Sequence, residues 1–192
     1  MFFLHPVNVW IIGDSYVRRG AERAAETMGD NLGHDNLFVQ WFGWGGLRWK
    51  SLVPFFRRSL QGRAVPDVLL IHCGGNDLGS VKSVGLVAAM KEDLRRLHLR
   101  YPDMRIIFSE LTQRCRWRAG DKPAKLDKAR RFVNSVMATF VPCLNGVFVH
   151  HPHIRFDTPG LFVRDGVHLT PRGNDIFLNS FAESIKAQLQ QQ

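Results

Sequence analysis

The sequence predicts an α/β fold in which helices cover both faces of a parallel sheet, and three observations carry that prediction. Five apolar, β-branched or aromatic runs recur at intervals of about 30 to 40 residues. Segments with helical spacing and many helix formers lie between them. The 192 residues, 45% hydrophobic and 22% charged, suit one well-buried core, and no repeat, low-complexity tract or linker divides them.

The elements follow in order. Val7 to Ile12 forms the first strand, Gly13-Asp14-Ser15 the turn after it, and Val17 to Met28 the first helix. Leu37 to Phe42 is the second strand, followed by a glycine-rich turn and a helix over Leu47 to Leu60; Gly33 and Gly62 stand where such segments stop. The third strand, Asp67 to His72, runs into Gly74-Gly75-Asn76-Asp77 and a helix over Val84 to Arg100. Arg105 to Ser109 and Gly146 to His150 are the last strands, with a helix over Lys122 to Phe140 between them. The final helix runs from Pro171 to Leu189, Pro171 suiting its first turn and Thr170 its N-cap.

No apolar run reaches the roughly 18 residues of a spanning helix. The N-terminal MFFLHPVNVWIIGDS lacks the basic start and small-residue cleavage site of a secretory signal, so its apolar part reads as the first strand. Cys73, Cys115 and Cys143 are odd in number and far apart, which predicts free thiols and a cytoplasmic or other reducing intracellular setting. The formal charge is +9, with arginines gathered at Arg57/Arg58, Arg95/Arg96, Arg114/Arg116/Arg118 and Arg130/Arg131. Such a surface suits nucleic acid, an anionic membrane or an acidic neighbouring segment as partner, although solvated helix faces on a basic protein are the preferred account of it. It sets no oligomeric state.

Open α/β sheets bind ligands beyond the carboxyl ends of their strands, and the chemistry-bearing residues fall there. Ser15 sits on a strand-to-helix turn close to free helix N–H groups, which favours a nucleophile, although Asp14 or Ser15 would also serve as a plain helix cap. Asn76 presents an amide that donates to an oxyanion without titrating, although Gly74 to Asp77 is also an ordinary turn composition. In Gly43-Trp44-Gly45-Gly46-Leu47 a glycine N–H supplies another donor; Gly46 is preferred and Gly45 is its rival. Asp165-Gly166-Val167-His168 spaces a carboxylate to reach the histidine Nδ1, leaving Nε2 for the serine proton. Nucleophile, donors and base thus come from separate segments at one sheet edge.

Other classes fit less well. The first strand lacks GxGxxG, no GKS or GKT follows a strand, and Val17 occupies the place of the second glycine in a GxSxG elbow. His150, His151 and His153 lack a recognisable carboxylate or cysteine partner and read as surface or packing residues, so no metal or cofactor is expected.

The four blocks, Gly13-Asp14-Ser15, Gly46, Gly74-Gly75-Asn76-Asp77 and Asp165-Gly166-Val167-His168, resemble the ordered blocks of SGNH (GDSL-like) hydrolases, and the resemblance covers essentially the whole chain. It implies a flavodoxin-like three-layer α/β/α sandwich with a five-stranded parallel sheet and the first strand next to its centre. It implies Ser15 as nucleophile, His168 as base and Asp165 as its orienting acid, with the Ser15 and Gly46 N–H groups and the Asn76 side chain as oxyanion donors. Tyr16 replaces the leucine of the GDSL name, at a position that varies and is not expected to touch the chemistry. Gly46-Leu47-Arg48 departs from the Asp-Thr pair that many members carry after the glycine. More narrowly, GGNDLG and DGVHLTPRGN are similar to esterase domains encoded by vertebrate retroelements.

The expected function is a serine esterase acting on a short acyl, acetyl or lipid-like ester. An SGNH-fold binding module and an O-acyltransferase are the alternatives. Trp44, Gly45, Arg116 and Trp117 are expected to touch substrate, with Trp41, Phe42 and Trp49 near them, and the loops Thr112 to Lys122 and Ile154 to Arg164 to border the site.

Overall fold

The computed structural model describes residues 5–117 and 122–189; Arg118 lies outside them. Its elements alternate throughout: β1 (Val7–Gly13), α1 (Ser15–Thr27), β2 (Leu37–Gly43), α2 (Trp49–Ser59), β3 (Val68–His72), α3 (Ser83–Arg100), β4 (Arg105–Ser109), α4 (Pro123–Phe140), a short 3₁₀ turn (Val141–Leu144), β5 (Val147–Val149) and α5 (Pro171–Leu189). The strands form one parallel sheet in the order β2-β1-β3-β4-β5. This is the expected α/β/α arrangement, with β1 beside the central strand β3.

Successive strand side chains point to opposite faces, so each strand feeds two cores. Trp10, Ile12, Leu69, Ile71, Ile106 and Phe108 pack with Leu52, Phe56, Met90, Leu94, Val133 and Met137 from α2, α3 and α4. Val9, Ile11, Leu70, Ile107 and Val149 pack on the other face with Val17 and Ala24 of α1 and Phe177, Leu178, Phe181 and Ile185 of α5. Each fully buried aliphatic or aromatic side chain of this kind contributes about 1.5–3 kcal/mol, so a charge placed at Leu70 breaks the fold.

Gly13 at the end of β1 pairs with Gly43 of β2 on one side and His72 of β3 on the other. Three strands therefore end level, and the loops carrying Ser15, Gly46 and Asn76 leave from one edge.

Two helix starts differ from the sequence expectation. α1 begins at Ser15 rather than Val17 because the Asp14 carboxylate accepts the Tyr16 N–H at 2.9 Å and closes the first turn. α2 begins at Trp49 rather than Leu47, its first N–H donating at 2.9 Å to Asp77 from the loop after β3. That cap is long-range and has no local signature. Thr170 does cap α5, its hydroxyl accepting the Gly173 N–H at 3.2 Å. All three cysteines are free, and among the described residues no helix is long and apolar enough to cross a membrane.

Candidate active site

Asp14 and Ser15 form the joint between β1 and α1. The Asp14 N–H continues the sheet ladder to His72 O at 3.2 Å, while its own carbonyl receives the Val17 and Arg18 N–H groups. Ser15 thereby occupies the first helical position, where its N–H has no partner among the described residues and the helix dipole favours negative charge.

The segment from Leu161 to Thr170 folds back on itself, with Phe162 bridged to Leu169 and the Val163 N–H donating to His168 O at 2.9 Å. At its tip Asp165 Oδ1 accepts the N–H groups of Val167 and His168 at 2.8 and 2.9 Å. Asp165 Oδ2 meets His168 Nδ1 at 2.6 Å, and His168 Nε2 meets Ser15 Oγ at 3.0 Å. Partial burial pushes the Asp165 carboxyl upward, but hydrogen bonds from the His168 ring and from the His168 and Val167 backbones outweigh it and bring it to about 2. Asp165 is therefore ionised throughout the neutral range. A carboxylate, an imidazole and a hydroxyl in this row suit proton transfer from the hydroxyl to Nε2, with the carboxylate stabilising the resulting imidazolium.

The donor candidates converge from the two neighbouring loops. Trp44 N–H bonds Gly13 O at 2.9 Å and Leu47 N–H bonds Trp44 O at 3.0 Å, forming a turn in which Gly46 adopts a φ of +76° that other residues rarely tolerate. The Asn76 amide nitrogen donates to Leu47 O at 3.1 Å and lies 3.5 Å from Asp14 Oδ2. One N–H is thus anchored to the Gly46 turn, leaving the other only weakly engaged. Asp77 holds α2, as described above, so the two loops are tied together by adjacent residues.

A family model for the GDSL-like lipase/acylhydrolase family matches residues 11–176. The chain belongs to this family. Among solved structures it is similar to a member of the lipolytic G-D-S-L family from Veillonella parvula, at 17% identity and a TM-score of 0.71 over 92% of this chain and 97% of that one. An acetyl xylan esterase aligns at 15% identity and 0.70, over 93% and 100% of the two chains. A carbohydrate esterase of family 3 from Talaromyces cellulolyticus aligns at 14% and 0.64, over 97% and 99%. At these identities the likeness is one of fold. No curated protein matches the chain.

For a GDSL-like chain, the position after the serine departs from expectation in more than residue type. The Tyr16 hydroxyl donates to the carbonyl of Val167, the residue before His168, at 2.5 Å. Tyr16 therefore links the nucleophile turn to the histidine loop rather than standing apart from it. Its ring packs against His72 and Phe177, and the Arg114 guanidinium lies 5.4 Å from its centre.

The four residues expected at substrate are spread around this edge. Arg116 is exposed, its N–H donating to Gly166 O at 2.9 Å beside the histidine loop. Trp117 is buried, with Arg114 over its ring at 5.2 Å, and shares a cavity of about 350 Å³ with Arg114, Cys115 and Phe156. Gly45 faces the Arg18 side chain, whereas Trp44 is half-exposed and packs edge-on against Phe55 beneath Arg58. Of the neighbouring aromatics, Trp49 is buried with its indole N–H on Asp93, and Trp41 donates to Asp30 O.

Sequence reasoning passed over two buried groups. Arg114 and Arg130 belong to the interior rather than to a solvated basic face: Arg130 pairs with Asp127 at 2.8 Å and donates to Leu111 O. His151, buried, joins Ser109 Oγ at 2.7 Å, and Ser109 in turn meets His72 Nδ1 at 2.8 Å. His150 faces Glu110 and His153 is exposed, so the three histidines diverge; among the described residues no group of three or more metal-ligating side chains is assembled.

Proposed function

We propose that this GDSL-like acylhydrolase is a serine esterase that cleaves carboxylic esters through an acyl-Ser15 intermediate. The observation that carries the reading is the continuous row from Ser15 Oγ through both ring nitrogens of His168 to Asp165. Ser15 attacks the ester carbonyl as His168 Nε2 takes its proton. The oxyanion is held by the Ser15 N–H, the Gly46 N–H and the more weakly engaged N–H of Asn76. The histidine returns the proton to the departing alcohol, then activates the water that releases the acid. No metal or cofactor enters these steps.

A short acyl group, acetyl foremost, is the proposed substrate class, in keeping with the acetyl xylan esterase among the structural neighbours. Arg116 and Trp117 border it on the histidine side, Trp44 and Gly45 on the other. Hydrolysis of p-nitrophenyl acetate, butyrate and octanoate by wild type and Ser15→Ala tests the reading. Serine-dependent turnover that falls with chain length supports it, and no turnover from folded protein refutes it. Product analysis with an added sugar or alcohol separates hydrolysis from acyl transfer, which shares the same intermediate.

A second reading has its own observation. A groove of about 570 Å³ between the loop after β3 and α4 is lined by Val81, Val84, Leu126 and Phe132 and rimmed by Lys82, Lys125 and Lys128. Val84 is 71% exposed, and apolar side chains ringed by lysines suit an anionic lipid surface better than nucleic acid. Salt-sensitive sedimentation with anionic vesicles that survives Ser15→Ala supports this role; binding to single-stranded nucleic acid alone transfers it to the basic surface at large. The GGNDLG and DGVHLTPRGN strings add a narrower proposal, that the domain is of the vertebrate retroelement kind. Reverse-transcriptase coding sequence beside its gene tests that.

A further inference from the structure

We propose that Arg114 is a positioning residue that holds the serine and histidine halves of the site in register, an inference that rests on the serine-esterase reading above. Its side chain, 3% exposed, lies in the loop after β4. Arg114 Nη2 is 4.0 Å from Asp14 Oδ2, and the guanidinium packs between the rings of Tyr16 and Trp117. A Cβ at Gly75 would lie 2.5 Å from Nη2, so the glycine of the Asn76 loop leaves the space the guanidinium fills. One side chain therefore touches the residues before and after Ser15 and the backbone next to Asn76. Through the Tyr16 hydroxyl it is coupled to Val167, and hence to His168.

Stability alone accounts poorly for an arginine here. Arg114 Nε and Nη1 find no acceptor among the described residues, and a buried ion pair with such incomplete bonding is commonly matched or bettered by well-packed apolar side chains. What methionine would lack is the charge opposite Asp14. Burial pushes the Asp14 carboxyl upward; Arg114 is the strongest opposing influence, the Tyr16 N–H and His168 help it, and Asp77 works against it. Asp14 thus faces Arg114 from the β4 loop, Cys73 and Asp77 from the β3 loop, and His168 from the loop before α5. Arg114 opposes the upward push that burial exerts on this capping carboxyl, and its guanidinium packs over the Tyr16 ring.

The test compares wild type, Arg114→Met, Arg114→Lys, Asp14→Asn and the Arg114→Met/Asp14→Asn double variant on p-nitrophenyl acetate across pH. Arg114→Met is expected to lower kcat about 10- to 100-fold at nearly constant KM, the size of effect that sub-ångström misplacement of reacting groups produces. Its acid limb should also move to higher pH and steepen, because removing Arg114 pushes the Asp14 carboxyl further upward and adds its protonation to that limb. Arg114→Lys should restore the position of that limb, and Asp14→Asn placed on Arg114→Met should remove the added steepness. An unchanged acid limb with unchanged kcat, or a raised KM at constant kcat, overturns the inference; the latter would make Arg114 a substrate contact. Should Arg114→Met not fold, Tyr16→Phe and Arg114→Lys carry the test through the same kcat and pH readouts. Absence of Ser15-dependent turnover in wild type overturns the esterase reading and this inference with it; wild-type turnover with an indifferent Arg114 overturns this inference alone.

Discussion

Among the described residues serines meet histidines in two rows, and the rows have different surroundings. At the sheet edge Ser15 meets His168, whose other nitrogen meets Asp165; the His168 side chain is 22% exposed and that of Asp165 43%. Inside the α1/α5 face Ser109 sits between His72 and His151; among the described residues no carboxylate meets either ring, and all three residues are buried. Desolvation dominates the inner row: it drives His72 well below the usual histidine range and brings His151 down to about 3. An imidazole held neutral in this way is a poor proton acceptor, and no ester reaches it. A hydroxyl next to an imidazole therefore becomes a plausible nucleophile only with a carboxylate behind the ring, access in front, and donors for the charge that develops.

The contrast breaks most sharply on the serines. Ser15→Ala is expected to lower kcat on p-nitrophenyl acetate by at least about 1,000-fold with the melting temperature nearly unchanged. Ser109→Ala should do the reverse, leaving turnover within a few-fold while costing about 1–3 kcal/mol in a urea melt, because two buried histidines lose their partner. Loss of turnover in folded Ser109→Ala would erase the distinction between the rows.

Asp165→Asn comes next. It keeps the shape but favours the wrong histidine tautomer, so kcat should fall by roughly 1,000- to 10,000-fold with little change in KM. Asn76→Ala removes a proposed oxyanion donor and should cost about 100- to 1,000-fold in kcat. A value within a few-fold of wild type would take Asn76 out of the site.

The smallest effect concerns acid stability. Folded His151 binds fewer protons than the unfolded chain between about pH 6.5 and 3, so its contribution to stability is lost as pH falls through that window. His72 adds in the same direction. Asp165, whose folded carboxyl is depressed to about 2, contributes above its unfolded value of 3.8 and loses that contribution between 3.8 and about 2. Replacing His151 with Gln should flatten the upper part of the curve by about 1 kcal/mol per pH unit in urea melts at pH 6 and pH 4. An unchanged slope would mean that His151 charges without unfolding.

The parts of this contrast visible in the sequence were the local ones. Apolar, β-branched or aromatic runs separated by helical segments predicted the sheet, and Gly13-Asp14-Ser15 and Asp165 to His168 carried their chemistry within a few adjacent residues. The inner row joins residues 37 to 79 positions apart, from Ser109 to His72 and from His72 to His151, and no spacing rule relates them. The same holds for Asp77 capping α2 and for Arg114 filling the space beside Gly75. Tyr16 shows the same limit: its ring packs in the interior, while its hydroxyl donates to a loop 151 residues away. Net charge concealed Arg114 and Arg130, because an inventory of arginines does not distinguish a buried guanidinium from a solvated one.

The level ending of β1 and β3 beside β2, with Gly13 set between Gly43 and His72, separates two kinds of evolutionary freedom. Residues below that line answer to the two apolar cores, whereas those above it answer to one another across the connections that carry the site. Solved structures of 14 to 17% identity share that platform. It follows that new specificity in this chain is best sought in the segments after β4 and before α5, with Arg114, Tyr16, Asp165 and His168 kept as the fixed posts between which new loop is hung.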